Sequence, residues 1–204
     1  MKIPLKDVTL EGDLVVPKGA IGIVIFAHGS GSSRHSPRNK MVAEEIAKVG
    51  HATLLFDLLT EEEDQNPEKR FDIPFLADRL MRVAHFIEKN PETKGMKIGF
   101  FGASTGAAAA LETAAEMKQG ISAVVSRGGR PDLAGASLTQ VTAPTLLIVG
   151  GNDTQVITLN EQAFAELGCE KKMEIIEGAS HLFEEPGCLM QIAHLAEKWF
   201  TKYL

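Results

Sequence analysis

Three short stretches of the chain hold residues that could do nucleophilic chemistry. Gly102-Ala103-Ser104-Thr105-Gly106 matches G-x-S-x-G, the strand-to-helix turn that presents a serine hydroxyl. Small neighbours at 102 and 106 would let backbone approach closely, and a helix opening at Thr105 would aim N–H groups at the site. Two other Gly-Ala-Ser tripeptides end at Ser137 and Ser180. Neither has the closing glycine, and neither lies between a strand and a long helix.

A serine hydroxyl is a weak nucleophile until a base takes its proton. Of the six histidines, His85 and His194 fall in helical patterns and His51 opens a strand. His28 closes a strand beside Gly29 and reads as ordering its loop. His35 lies in a Gly/Ser-rich loop. His181 follows an apolar run in Gly178-Ala179-Ser180-His181, on a loop at a strand's carboxyl end. A histidine base needs a third group to hold its tautomer. Asp153, in Gly150-Gly151-Asn152-Asp153 after the preceding apolar run, is the candidate. Gly-Gly-Asn-Asp alone is ordinary turn chemistry. The expectation rests on three strand ends supplying Ser104, Asp153 and His181 in that chain order.

The elements that must bring them together are legible as periodicity. Strand-like runs are expected at 1–8 and 13–16, joined near Glu11-Gly12, and at 22–27, 52–56, 97–101, 121–125, 145–149 and 172–176. Helices are expected from Ser36-Pro37 to Gly50, then at 74–88, 105–117, 159–167 and 189–203. The charged stretch 60–70 reads as an exposed loop. Alternating strands and helices predict an α/β fold: a three-layer α/β/α sandwich around a mostly parallel, doubly wound sheet. Ligands in such sheets sit at the strands' carboxyl ends, where the three candidates fall. Only ~20 residues separate the strands ending at Val125 and starting at Thr145, too few for a separate cap domain.

These residues carry a family resemblance. From His28-Gly29 through the elbow to Asp153 and His181, the chain resembles an α/β-hydrolase, closest to the small, capless dienelactone-hydrolase-like branch. The order Ser…Asp…His is the one that fold uses. The best-known members of that branch carry cysteine as nucleophile, where this chain has Ser104. The resemblance implies hydrolysis of an ester-type bond through an acyl-enzyme, without metal or organic cofactor. It also implies an oxyanion hole made by the backbone N–H of Thr105 and that of Ser30 or Gly31. Thioesterase, peptidase, lactonase or acyltransferase chemistry on the same scaffold would use the same three side chains. A binding protein keeping the fold without chemistry is the reading from another class.

Arginine suits carboxylates. Arg127, after the strand ending at Val125, and Arg34, in the Gly/Ser loop, are therefore candidates for binding an acidic group on a small-molecule substrate. Their bland alternative is bracing a loop. The Gly/Ser loop 29–36 lacks the Gly-Lys-Ser/Thr ending of a phosphate loop and has Arg34 where G-x-G-x-x-G needs glycine. Glu61-Glu62-Glu63-Asp64 reads as a solvated run with no histidine beside it to complete a metal site.

Totals bound the rest. The chain has 204 residues, 44% hydrophobic and 24% charged, with net charge -6. That composition fits one compact domain spanning 1–204 and offers no bulk attraction to nucleic acid or anionic membrane. No apolar run reaches the ~18 residues of a membrane span, and the first residues lack signal-peptide character. Cys169 and Cys188 have no metal-ligand spacing. A cytoplasmic protein with two free thiols is the expectation.

Overall fold

The computed structural model describes all residues, Met1–Leu204. One eight-stranded sheet organises the chain: β1 (Lys2–Pro4), β2 (Thr9–Val15), β3 (Gly22–Ala27), β4 (Ala52–Phe56), β5 (Lys97–Ala103), β6 (Ile121–Arg127), β7 (Thr145–Gly150) and β8 (Lys171–Ile176). Their spatial order is β1-β2-β4-β3-β5-β6-β7-β8. β1–β2 and β2–β4 pair antiparallel, and every other pair is parallel. The central strands are apolar on both sides, as burial between two helical layers requires; β3, β4 and β7 are buried at every position.

Helices α1 (Pro37–Lys48), α2 (Glu61–Asp64), α3 (Pro67–Phe71), α4 (Ile73–Lys89), α5 (Thr105–Met117), α6 (Thr154–Glu166) and α7 (Cys188–Tyr203) complete the fold. α1 and α7 cover one face of the sheet, packing on Val24, Phe26, Phe101 and Ile148. α4, α5 and α6 cover the other, packing on Ile25, Phe100, Val124 and Leu147. Alternate residues of each strand thus feed opposite cores. No helix is long and apolar enough to cross a membrane.

Several expectations change, among them the start of α6, at Thr154 rather than 159. The first turn lies at residues 5–8, closed by Leu5 N–H donating to Val8 C=O (2.8 Å), not at Glu11-Gly12. Gly12 is a packing glycine inside β2: a Cβ there would stand 3.0 Å from Ile3 and 3.1 Å from Leu54. Residues 60–70 are not a loop but hold α2 and most of α3. Thr60 and Glu63 form a reciprocal capping box at α2, a T-x-x-E signal visible in the sequence. Asn66 and Pro67 start α3 in the same local way. Finally, β5 and β6 run two residues further than their apolar cores, to Ala103 and Arg127, so the elbow sits directly on the rim.

Candidate active site

β5 delivers Ser104 into a turn whose flanking positions leave no room for a side chain. Ser104 has φ 51° and ψ -122°, a region that side chains with a Cβ occupy at a cost in strain. Both flanking glycines are sterically required. A Cβ on Gly102 would lie 2.4 Å from Ala107 Cα, and one on Gly106 would lie 2.2 Å from the carbonyl oxygen of Ala27. Gly106 therefore lets α5 start hard against the end of β3. Ser104 N–H donates to Arg127 C=O (3.4 Å), and Ser104 C=O accepts from Arg130 N–H (3.1 Å). These bonds join the elbow to the segment leaving β6.

Asp153 and His181 meet because their loops are zipped together. β7 and β8 run in register to Gly150 and Ile176. Beyond them, Gly151 N–H donates to Ile176 C=O (2.8 Å) and Asn152 N–H to Ala179 C=O (2.9 Å). The Asn152 side chain adds a bond to Gly178 C=O (2.8 Å). A Cβ on Gly150 would come within 2.5 Å of the carbonyl oxygens of Ala179 and Ser180, so glycine there allows the loops to touch. His181 Nδ1 then stands 2.6 Å from Asp153 Oδ2. A carboxylate only accepts, so Nδ1 carries a proton, and in the neutral imidazole Nε2 then keeps the free lone pair. The His181 side chain is 41% exposed and Asp153 16%.

The serine and the histidine flank the same dipeptide. Arg127 C=O holds Ser104 N–H, while Gly128 lies under the His181 loop: a Cβ on Gly128 would be 3.1 Å from His181 C=O oxygen and 3.7 Å from the imidazole Cε1. In this structure the Ser104 hydroxyl makes no hydrogen bond to the imidazole. Catalytic hydrogen bonds often tighten only when substrate binds.

Thr105 is the first residue of α5, so its N–H has no partner within the helix. In the facing loop, Ser30 N–H donates to Thr105 Oγ1 (3.0 Å). Gly31 N–H makes no hydrogen bond, and its φ of 68° is one glycine adopts freely. His28 orders this loop, as its position suggested: Nδ1–H donates to Gly29 C=O (2.9 Å) and Nε2 accepts from Leu58 N–H (3.0 Å). Burial pushes its pKa below the usual histidine value, partly offset by the Gly29 carbonyl and by Asp57.

Neither arginine stands ready for a substrate carboxylate. Arg34 is committed to Asp57, through Nη1 to Oδ2 and backbone N–H to Oδ1 (2.8 Å), with Glu11 and Asp13 at 3.6 and 3.9 Å. Three carboxylates around it would repel an incoming anion. Arg127 is 6% exposed and turned beneath the rim, where Nη2 donates to Asn39 Oδ1 (3.1 Å).

Several residues that brace this rim gave no motif. Asn160 is fully buried and braces Gly129 C=O (3.0 Å) from α6. Its only sequence signal was an amide on an otherwise apolar helix face. Arg70 holds Asp64 through two bonds (3.0 and 2.9 Å). The Arg70 guanidinium also stands 3.9 Å from where a Gly31 Cβ would be, at the loop that holds Ser30 and Gly31. Beyond β4 a cleft of about 490 Å³ opens, lined by His28, Ser32, Arg34, Asp57, Thr60 and Asp64 among others. No cluster of histidine, cysteine or carboxylate side chains is arranged to hold a metal.

Comparison with known proteins agrees with this architecture. Residues 10–198 match the model of the dienelactone hydrolase family. A crystal structure of dienelactone hydrolase from Anabaena variabilis is 54% identical and superposes with a TM-score of 0.97, covering 100% of this chain and 96% of that one. Est1E from Butyrivibrio proteoclasticus shares the fold at 15% identity, with a TM-score of 0.84 over 99% and 97% of the two chains. Two Mycobacterium tuberculosis proteins carrying the provisional name phosphoribosyl transferase are 55% identical over 97% of this chain. The chain spans less than half of their length, 44%. With its eight-stranded sheet, its glycine-flanked serine and nearly all of its length matched, the chain belongs to the dienelactone hydrolase family of α/β-hydrolases.

Proposed function

We propose that the protein is a serine hydrolase that cleaves an ester-type bond in a small soluble substrate. The observation that carries this reading is the 2.6 Å contact of His181 Nδ1 with Asp153, which leaves Nε2 as a base on the rim shared with Ser104. Ser104 Oγ attacks the substrate carbonyl carbon as His181 Nε2 takes its proton. Asp153 holds Nδ1–H and stabilises the imidazolium. The tetrahedral oxyanion is met by the N–H of Thr105 and by that of Gly31 or Ser30; the Ser30 N–H must first leave Thr105 Oγ1. His181 then returns its proton to the departing alcohol. Water, deprotonated by the same nitrogen, releases the acyl group and restores the serine.

The phosphoribosyl transferase name of the mycobacterial relatives describes proteins more than twice as long as the matched segment. The side chains gathered on this rim favour acyl transfer instead. A fluorophosphonate probe followed by peptide mapping tests the reading, alongside a panel of esters, thioesters and amides. A covalent adduct on Ser104 and preferential ester turnover are expected. Folded protein that takes no label, or a Ser104→Ala variant with wild-type turnover, would remove it.

A further inference from the structure

Arg127 is a buried cation without a counter-ion. Ser126 faces α5, its Oγ occupying the space a Gly129 Cβ would need beside Ala107. Its neighbour Arg127 therefore faces the opposite side of the sheet, toward α1. No carboxylate lies within salt-bridge distance of the guanidinium. Its one hydrogen bond is to Asn39 Oδ1, and its Nε is buried without a partner. Burial, then the like charge of Arg38, lowers its pKa to about 10, so it remains charged at neutral pH. Burying an unpaired charge is costly, and an apolar side chain of similar size would serve stability at least as well. The geometry gives the charge a different use.

Asn39 is itself buried, in the first turn of α1, and its N–H donates to Ser36 Oγ (3.3 Å). Ser36 caps α1 and ends the loop 28–36 that holds Ser30 and Gly31. Arg38, one residue earlier, reaches Glu184 (3.2 Å), three residues past His181. The first turn of α1 is therefore bound to the oxyanion loop, to the end of β6 and to the histidine loop. On β6 the Arg127 carbonyl holds Ser104, and Gly128 N–H donates to Ile148 C=O (2.8 Å) beneath His181.

We infer that Arg127 is a positioning residue: its hydrogen bond to Asn39 sets the oxyanion loop at working distance from the Ser104 elbow. This rests on the serine-hydrolase reading above. A displacement of about 1 Å between reacting groups can lower turnover about a hundred-fold, and the guanidinium touches no substrate, so kcat is the parameter it governs.

The test compares Arg127→Met, Asn39→Leu, Asn39→Asp and the double variant Arg127→Met/Asn39→Leu. Turnover is measured per active site titrated with a fluorophosphonate, on matched neutral and anionic esters, with Tm recorded alongside. Arg127→Met and Asn39→Leu are expected to lose about ten- to a hundred-fold in kcat, with KM changed by less than about two-fold on both esters. The double variant should be no worse than the poorer single one, because both remove one shared bond. Asn39→Asp keeps the acceptor and supplies the missing negative charge, so it should recover most of the kcat that Asn39→Leu loses. Variants that keep wild-type kcat per titrated site while only Tm falls would overturn the inference. So would a rise in KM confined to the anionic ester. If Arg127→Met does not fold, the contrast between the two Asn39 variants decides by the same criteria. A wild-type protein that takes no label sinks the serine reading and this inference with it; a labelled wild type with unaffected variants sinks this inference alone.

Discussion

Asp153 occupies the position that begins α6, yet its carboxylate caps no helix N–H and instead accepts from His181 Nδ1 at 2.6 Å. An aspartate at a helix start ordinarily satisfies the first free backbone donors. Here the zipper between the loops after β7 and β8 presents the imidazole, and the charge-assisted bond to it takes precedence. Asp153→Asn would keep the shape but offer an amide donor, favouring the wrong histidine tautomer. A fall in kcat of about 10⁴ is expected with KM little changed. Steady-state kinetics on a chromogenic ester measures it, and a loss under about ten-fold would contradict the assigned role.

Gly106 and Gly120 offer a matched pair. A Cβ at Gly106 would meet the Ala27 carbonyl oxygen at 2.2 Å, whereas at Gly120 the nearest atom is Met117 Cε at 3.5 Å. Backbone cannot move aside as a flexible side chain can. Gly106→Ala should therefore destabilise by about 3 kcal/mol or more, or rebuild the elbow and abolish labelling of Ser104. Gly120→Ala should lie within about 0.5 kcal/mol of wild type. Urea denaturation monitored by tryptophan fluorescence separates the two.

Arg34 neutralises a cluster rather than greeting a substrate. Arg34→Ala would leave Asp57, Glu11 and Asp13 facing one another. We expect a loss of stability of about 1–3 kcal/mol and no selective increase in KM for anionic esters over neutral ones. A KM increase confined to anionic esters would return Arg34 to the substrate.

His28 should make stability depend on pH. Its folded-state pKa is depressed by burial, while the unfolded chain takes up a proton near the ordinary histidine value of about 6.5. As pH falls below that value the unfolded state binds the extra proton first. The stabilisation is thus complete above about pH 6.5 and declines toward the folded-state pKa, at no more than about 1.4 kcal/mol per pH unit. His51, also lowered by burial and partly offset by Glu197, acts in the same direction. Denaturation midpoints measured from pH 7.5 to 5 should fall less steeply in His28→Gln than in wild type. Equal slopes would show that His28 contributes nothing to the linkage.

The candidate site residues stood out in the sequence because each sits in a local pattern with its own physical cause. Gly102 and Gly106 relieve contacts a few residues away along the turn and from the adjoining strand, and the alternation of apolar runs with amphipathic stretches dictates a layered parallel sheet. The turn chemistry at 150–153 and the histidine at 181 were equally visible. The helical segment at 60–71 was legible too, through its capping box, but its density of charge read as solvation. In the fold part of that charge is paired, while Glu61, Glu62 and Glu68 stay exposed. Arg79, 1% exposed, holds Glu63 through two bonds (3.2 and 3.0 Å), and Arg70 holds Asp64.

The amino-acid order by itself therefore determined most of the elements, the layer architecture and the three rim side chains as candidates, since those follow from short-range sterics and hydrophobic period. Which arginine faces what was decided only by tertiary structure. Arg34 lies in the loop after β3 and Arg127 closes β6, and in sequence both read as arginines near a strand's carboxyl end. One is drawn into carboxylates brought by β2 and the end of β4, and the other is buried by α1 against Asn39, 88 positions away. The destination of a long charged side chain is set by charges and packing contributed from distant segments, and no window of neighbouring residues contains that information.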